Sequence, residues 1–483
     1  MTKAVLCIGV VALIVFGSSI SAFAVSFGKL PNLGAEAKHD APAENPENPA
    51  PSEDPGFAEY EEEKGSGEEV DLSQPLTLRQ CIEIALEKSS EIKTAQLDLV
   101  LEEMSVKDAW SNYWPQIDSS GGYQFSENID LGWEKENYDA SIAARYVIWN
   151  HGQREGTLAQ AKLRREAGYS RYDRTEQSLI FNVIRAYYIL LEAEKLIDVN
   201  EQLLEQSRQN VEKIKAFVEA GSAIEADVAT ARVQQASSEL AVINALNELE
   251  LAKADLAVLM GLASDVPVSV VDEPDYERYM QTGIIETEEI LIDDAISHAL
   301  AHRPELAELE VNRAVLEWAL TLARLERWPR ITAEADYNLM LDDYLREKDA
   351  LKNHKSWDVL ARVSYPVFDG GRSRRTVQRA EIAMQKLNEN MSELERSIAL
   401  EVHQAYLNLQ RAKKSLDITS VQVEDARMSL DVSQGRYEQQ MIILLELLDA
   451  QTRYAQSLTN QVKAFYDYKV AKGTLERAMG VLQ

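Results

Sequence analysis

The chain has 483 residues, 45% of them hydrophobic, with 80 acidic and 50 basic side chains and a formal charge of −30. That length and apolar content allow two or three ordinary domains. The acidic balance excludes nucleic acid as a partner, because the two would repel, and suits a solvated acidic surface or a duct that attracts cations.

The N-terminus reads as a secretory signal in residues 1–24. Lys3 supplies the positive end, Ala4 to Phe16 the apolar core, and Ala22-Phe23-Ala24 a small-x-small cleavage site. A core of about 13 residues falls short of the roughly 20 that span a bilayer. Cys7 lies inside that core and not at a lipid-attachment position, so no lipid anchor is expected. Cys81 is then the one cysteine left after cleavage, and its place on an apolar helical face marks it as a small buried side chain. Residues 25–74 read as an acidic, Pro-rich disordered tail, with prolines at 42, 46, 49, 51 and 55 and the run Glu61-Glu62-Glu63. Ser26 to Pro75 holds 13 acids against 3 lysines, so about a third of the charge excess says nothing about the folded part. No other stretch reaches 18 apolar residues, so entry into a membrane would require a β-barrel.

From Leu76 the sequence repeats itself. Ala85-Leu86, Glu91 and Trp114-Pro115 recur 214 positions later as Ala299-Leu300, Glu305 and Trp328-Pro329. Tyr146, Gly152, Ala186-Tyr187, Ala231 and Met260-Gly261 recur 219 positions later as Tyr365, Gly371, Ala405-Tyr406, Ala450 and Met479-Gly480. The change of offset confines insertions to one segment between Pro329 and Tyr365, and whole structural units have been duplicated. The expected units are 75–270 and 289–483, joined by a linker at 271–288.

Each unit opens with helical periodicity. Thr77 is a plausible N-cap for Leu78–Lys88, and a second helix from Glu91 to Tyr113 stops before Trp114-Pro115. The second unit has Ile292–His302 and then Glu305 to Arg327. After each Trp-Pro the period switches to two. Ile117, Ser119, Gly121, Tyr123 and Phe125 alternate with Asp118, Ser120, Gly122 and Gln124; Ile142, Ala144 and Tyr146 alternate with Ser141, Ala143 and Arg145. Ile331, Ala333, Ala335 and Tyr337 alternate with Thr332, Glu334 and Asp336; Val359, Ala361 and Val363 alternate with Asp358, Leu360 and Arg362. These strands, at about 115–149 and 329–368, have the length and two-faced pattern of transmembrane strands, which half-buried soluble hairpins share. Trp114, Trp149, Trp328, Trp357 and Phe368 suit interfacial girdles. Four strands cannot close a barrel, and open edges are forbidden in lipid. Three chains would supply twelve strands; two would supply eight and leave a bore too small for a duct.

Proline-free windows follow, Gly152 to Met260 and Gly371 to Met479. Leu179, Val183, Ala186, Leu190, Ala193, Ile197, Leu204, Val211, Ile214 and Val218 keep a heptad register, as do Ile398, Val402, Ala405, Leu409, Ala412, Leu416, Val423 and Leu430. After Gly221 a return run, richer in alanine, passes through Val228, Ala231, Val242, Ala245, Leu249, Ala252 and Leu256. A helix from Gly152 to Gly221 would be roughly 105 Å long at 1.5 Å per residue.

The two-fold repeat, the Trp-Pro before each hairpin and Tyr365-Pro366-Val367-Phe368-Asp369-Gly370-Gly371 resemble the TolC-like outer-membrane efflux proteins over about residues 75–483. In the strand-to-helix turn Asp369 can cap, and Gly370 and Gly371 permit the sharp bend; Trp149-Asn150-His151-Gly152 is the first unit's degenerate version. The resemblance implies a mainly α fold with a small β part: two β-hairpins and long coiled-coil helix hairpins per chain, assembled as a trimeric 12-stranded barrel continued by an α-helical barrel. It implies a cell outer membrane location with the helices in the periplasm. It implies a passive duct for multidrug efflux or type I secretion, working with a periplasmic adaptor and an inner-membrane transporter. By the same resemblance Asp227, Glu446, Asp449 and Tyr437 lie at a periplasmic gate, where rings of carboxylates would favour cations. Gly221, Ser222, Gln440 and Met441 form the adaptor-contacting tips. Gln440 and Met441 replace a Gly-containing turn common in the family, and Ile442 replaces a basic residue that ties the tip shut in some members.

Read without the resemblance, Asp227, Glu446 and Asp449 are ordinary solvated helix positions. His298 and His302 stand i, i+4 but lack a third ligand in register, which favours a surface or capping role. Arg362 falls on the polar strand face, and Arg145 does so if its strand keeps the register above. No phosphate loop, nucleophile set or Cys/His cluster is present, so no enzyme activity and no cofactor are expected. A secreted structural coiled-coil protein without a channel is the competing class.

Overall fold

The computed structural model describes residues 74–128, 133–271, 274–282, 290–342 and 355–482. The expected signal sequence and nearly all of the expected tail lie outside them. Helix α1 (Leu78–Lys88) starts at a capping box: Gln80 N donates to Thr77 Oγ1 at 3.3 Å, and Thr77 N donates to Gln80 Oε1 at 2.9 Å. The turn into α2 (Ser90–Ser111) is capped by Ser89, whose Oγ accepts from Glu91 N at 3.2 Å. Strands β1 (Gln116–Asn128) and β2 (Trp133–Trp149) follow, then α3 (Gln153–Glu219) and its return α4 (Glu225–Leu259). After α5 (Pro274–Thr282) the second unit repeats the order: α6 (Ile292–His302), α7 (Pro304–Leu325), β3 (Arg330–Asp342), β4 (Lys355–Ser364), α8 (Arg372–Glu438) and α9 (Leu444–Met479). The chain is mainly α with a small β part, and the duplication extends to length: α3 and α8 have 67 residues each.

Each long helix is about 100 Å from end to end, while its return helix has only 35 or 36 residues. The return covers the tip half. The strand half is flanked by the short helices, with α2 and α7 packed on α3, and α6 and α7 on α8. The heptad stripe explains the choice of face. Leu179, Val183, Leu190 and Ile214 of α3 and Ile398 and Val402 of α8 are almost wholly buried. Ala231, Ala245 and Ala252 bury the narrow face of α4, where small side chains let the backbones approach.

The main core gathers Tyr187, Leu190 and Leu191 with Leu256, Met260, Phe465 and Tyr466, and seals Cys81 and Ile84 beneath them. A parallel bridge between Leu76 and Val270 ties the start of the first unit to its end. The expected linker, 271–288, contains the short helix α5. Tyr279 is buried there and donates its hydroxyl to Leu416 O at 3.2 Å, while Asp275 accepts from Lys469 Nζ at 2.6 Å, so the segment is strapped across α8 and α9.

Gly261 and Gly480, equivalent positions of the repeat, end the return helices with φ of +73° and +72°. Both lie against the turn between the two short helices of their unit. A Cβ on Gly261 would stand 2.5 Å from Lys88 O, and one on Gly480 3.1 Å from His302 O.

The four strands form one antiparallel sheet in the order β1-β2-β3-β4. Ile117 pairs with Ala144, Ala144 with Ala335, and Ala335 with Val359. Directly paired residues share a face, so the apolar alternations of all four strands fall on one side. Asp118, Ala143, Asp336 and Asp358 form a row on the other. Along β1 and β4 the outer edges have no partner strand among the described residues.

Candidate functional site

At the first tip, α3 closes with Gly221 at φ +74°, and Ser222 N and Gly221 N donate to Phe217 O and Val218 O at 2.8 and 2.9 Å. The Ser222 hydroxyl adds a bond to Phe217 O at 3.0 Å. Helix α4 then starts at Ile224, whose N–H donates to Asp227 Oδ2 at 3.3 Å. Ile224 has no side-chain acceptor, so Asp227 alone supplies the cap.

The second tip adopts the same shape with a different residue. Gln440, which the repeat aligns with Gly221, takes the left-handed conformation at φ +59°. Its N–H donates to Tyr437 O at 2.9 Å, and Met441 N donates to Arg436 O at 2.9 Å. Left-handed backbone costs a residue with a Cβ about 1–2 kcal/mol, so the surrounding packing holds this turn.

That packing is the tip core: Val211, Ile214, Ala231, Leu430, Leu444, Leu447 and Leu448 around Tyr437, with Ile442 against it. Tyr437 is buried and its ring lies 5.9 Å from that of Phe217. Burial, and then the charge of Asp227, push its hydroxyl pKa up. The structure thus brings Asp227 and Tyr437 together across the two hairpins. It places Glu446 in the exposed first turn of α9 and Asp449, also exposed, against Arg453 at 2.9 Å. One contact that local spacing does not reveal, Lys213 to Glu438, joins α3 to α8 near the tip.

The strand-to-helix turn is built as its residues suggest. Asp369 Oδ1 accepts from Gly371 N at 2.9 Å, and Oδ2 accepts from Ser373 N at 2.8 Å and from the Ser373 hydroxyl. These bonds, that of the Ser373 hydroxyl first, hold the carboxyl down at about 2. Gly370 and Gly371 have φ of +61° and +79°. In the first unit His151 and Gly152 adopt the same pair of left-handed conformations, at +55° and +83°. The His151 ring is held by Trp149 at 3.6 Å and Trp328 at 4.9 Å.

On the polar strand face Glu334 lies between Arg145 at 3.7 Å and Arg362 at 3.6 Å, so both arginines share that side. Farther down, Glu192 of α3 is half-buried. Desolvation, and then Asp467, push its pKa up to about 7 against the pull of Lys463. His298 and His302 stack at 4.0 Å with their Nδ1 atoms at Met479 O and His298 O, 3.3 and 3.0 Å away. Among the described residues no three His, Cys, Asp or Glu side chains are grouped to hold a metal, and no helix is long and apolar enough to cross a membrane.

A family model described as outer membrane efflux protein matches residues 81–262 and 295–481. Outer membrane protein TolC of Vibrio cholerae is 23% identical over 390 residues, covering 80% of this chain and 86% of that protein. Cation efflux system protein CusC of Escherichia coli O157:H7 is 20% identical over 411 residues, covering 82% and 84%. Among solved structures, one of CusC superposes with a TM-score of 0.70 at 17% identity over 83% of this chain and 92% of that one. The CmeC outer membrane channel of Campylobacter jejuni superposes with a TM-score of 0.67 at 15% identity over 83% and 85%.

Proposed function

The chain belongs to the outer membrane efflux protein family, and from that premise we propose that it is a passive, homotrimeric duct. It is an outer-membrane protein with its helices in the periplasm. Energy comes from an inner-membrane transporter reached through a periplasmic adaptor. The cargo is a substrate of multidrug efflux or of type I secretion.

The observation that carries this reading is the sheet. One face is apolar and exposed, with Ile117, Val359 and Val363 each about 70% accessible. The other carries Asp118, Arg145, Glu334, Asp336, Asp358 and Arg362, and both edges lack a partner strand among the described residues. In lipid such a sheet must close, and four strands are too few. A second feature supports association. Leu400, Leu407, Val421 and Met428 lie on one heptad line of α8, each more than half exposed. That is an apolar seam which a lone chain leaves in water and a neighbouring helix would cover.

The gate is at the helix tips. Asp227, Glu446 and Asp449 contribute carboxylates there, with three copies around a common axis favouring cations at the entrance. Tyr437 acts from the tip core by fixing the hairpins together, while Gly221, Ser222, Gln440 and Met441 offer the turns to the adaptor. Asp369, Gly370 and Gly371 set the bend from barrel to tunnel. The test is reconstitution of the purified protein in planar bilayers. A trimer that resists dodecyl sulfate until heated and conducts in discrete, cation-preferring steps is expected. A monomer that stays in buffer without detergent and never conducts refutes the duct and favours the coiled-coil alternative.

A further inference from the structure

Where the strands give way to helices, a cavity of about 930 Å³ opens between the two units. It is lined by the rings of Trp149, Trp328 and Tyr365 and by Arg324, Arg327 and Arg374. We infer that this cavity is a binding site for the headgroup of an anionic glycerophospholipid in the periplasm-facing leaflet. The inference rests on the membrane-spanning role of the sheet and adds a specific lipid site to it.

Position is the first argument. Trp149 pairs with Ile331, which begins the apolar alternation of β3, and Tyr365 continues the line Val359, Ala361, Val363 of β4. Trp149 and Tyr365 therefore stand at the lower end of the lipid-facing surface, at the depth where indole and phenol rings bridge hydrocarbon and water. Val367 and Phe368, next along the chain, are 88% and 90% exposed. An acyl chain leaving the cavity upward would lie along β4.

Charge is the second argument. In a chain of net charge −30, the segments 324–330 and 372–379 hold seven arginines and one acid, Glu326. Three of those arginines line the cavity, opposed there by Glu381, which Arg324 meets at 3.9 Å. Arg327 and Arg374 are exposed and have no ion-pair partner among the described residues. A basic cluster against an anionic leaflet gains attraction with each cation, and guanidinium groups match phosphate oxygens in two-bond geometry. A zwitterionic headgroup would offer the same phosphate beside an ammonium that these arginines repel.

The test uses the full-length, detergent-purified protein mixed with equimolar phosphatidylglycerol and phosphatidylcholine, with retained lipid counted by native mass spectrometry. Phosphatidylglycerol should be retained over phosphatidylcholine by about tenfold or more. The R324Q/R327Q/R374Q variant should abolish that preference. Val377→Trp, which fills the cavity without touching charge, should abolish it too, and so covers the case in which the triple variant fails to fold. Free glycerol 3-phosphate should not displace the lipid at equal concentration. Equal retention of both lipids by the wild type, an undiminished preference in the triple variant or in Val377→Trp, or full displacement by glycerol 3-phosphate would overturn the assignment. Flotation with vesicles separates this failure from a deeper one. Protein that floats without headgroup preference sinks only the lipid site, whereas protein that floats with neither lipid sinks the membrane-spanning sheet.

Discussion

Three glycines with the same backbone conformation and different surroundings give a graded test of how the repeat is locked. Gly221, Gly480 and Gly261 have φ of +74°, +72° and +73°. A methyl group on Gly221 meets nothing within 4 Å; on Gly480 it comes to 3.1 Å from His302 O; on Gly261 it would stand 2.5 Å from Lys88 O and 2.9 Å from Ser89 N. Alanine at Gly221 therefore carries only the left-handed strain, about 1–2 kcal/mol, less a few tenths to 1 kcal/mol returned by the stiffer unfolded chain. Alanine at Gly261 adds displacement of backbone atoms, and overpacking of that kind costs about 1–3 kcal/mol more. The expected order of destabilisation is Gly221→Ala, then Gly480→Ala, then Gly261→Ala, with the last about 1–4.5 kcal/mol. Urea midpoints followed by circular dichroism at 222 nm in detergent measure it. Equal shifts at Gly221 and Gly261 would refute the idea that the return helix is seated on the turn between α1 and α2.

Arg303 is buried against Glu305 at 3.3 Å and Glu401 at 2.5 Å, so Arg303→Met leaves carboxylates facing an apolar side chain and should lower stability by roughly 2 kcal/mol or more in the same urea assay; an unchanged midpoint would contradict it. The pKa of Glu192, raised in the folded state to about 7, makes its contribution fully present below about 4.5, the unfolded value, and lost as pH rises through 7. Glu192→Gln should accordingly flatten the fall in stability between pH 5 and pH 8, and a variant that retains the wild-type slope rules this group out. Burial pushes the Cys81 thiol up to about 12. It should resist maleimide at pH 7.5 until the protein is unfolded, and rapid labelling of the native protein would show the helix pair around it opening.

What the sequence revealed and what it hid divide along physical lines. Patterns with a short period were legible. The heptads identified the buried faces of α3 and α8, and the alternation of the strands placed Arg145, Glu334 and Arg362 on one side, because each depends on neighbours a few residues apart. Asp369 was legible as a cap because its partners, Gly371 and Ser373, are adjacent. The Lys213–Glu438 contact was not, since 225 positions separate its ends and no local spacing encodes which turns of two helices meet. The helix in the expected linker, α5, is too short for its periodicity to stand out from a connection. At Gln440 the rule that reads left-handed turns from glycine fails, because packing around Tyr437 imposes the conformation that Gly221 adopts freely. The resemblance implies a gate role for Tyr437. It stands in the tip core, where its ring bears on Phe217 and its hydroxyl on the charge of Asp227.

In the proposed duct the free edges of β1 and β4 pair between copies and close a ring of three. Within one chain the two edges are three strand spacings apart, about 14 Å, well beyond the roughly 7 Å limit for a disulfide. A cysteine at Ser119, combined with a second cysteine walked from Ser356 to Val363, can therefore bridge only between copies. With a closed trimer, oxidised samples at the matching register should run at one, two and three chain masses and no higher. Monomer alone at every position, closure at two, or a ladder continuing past three would contradict it.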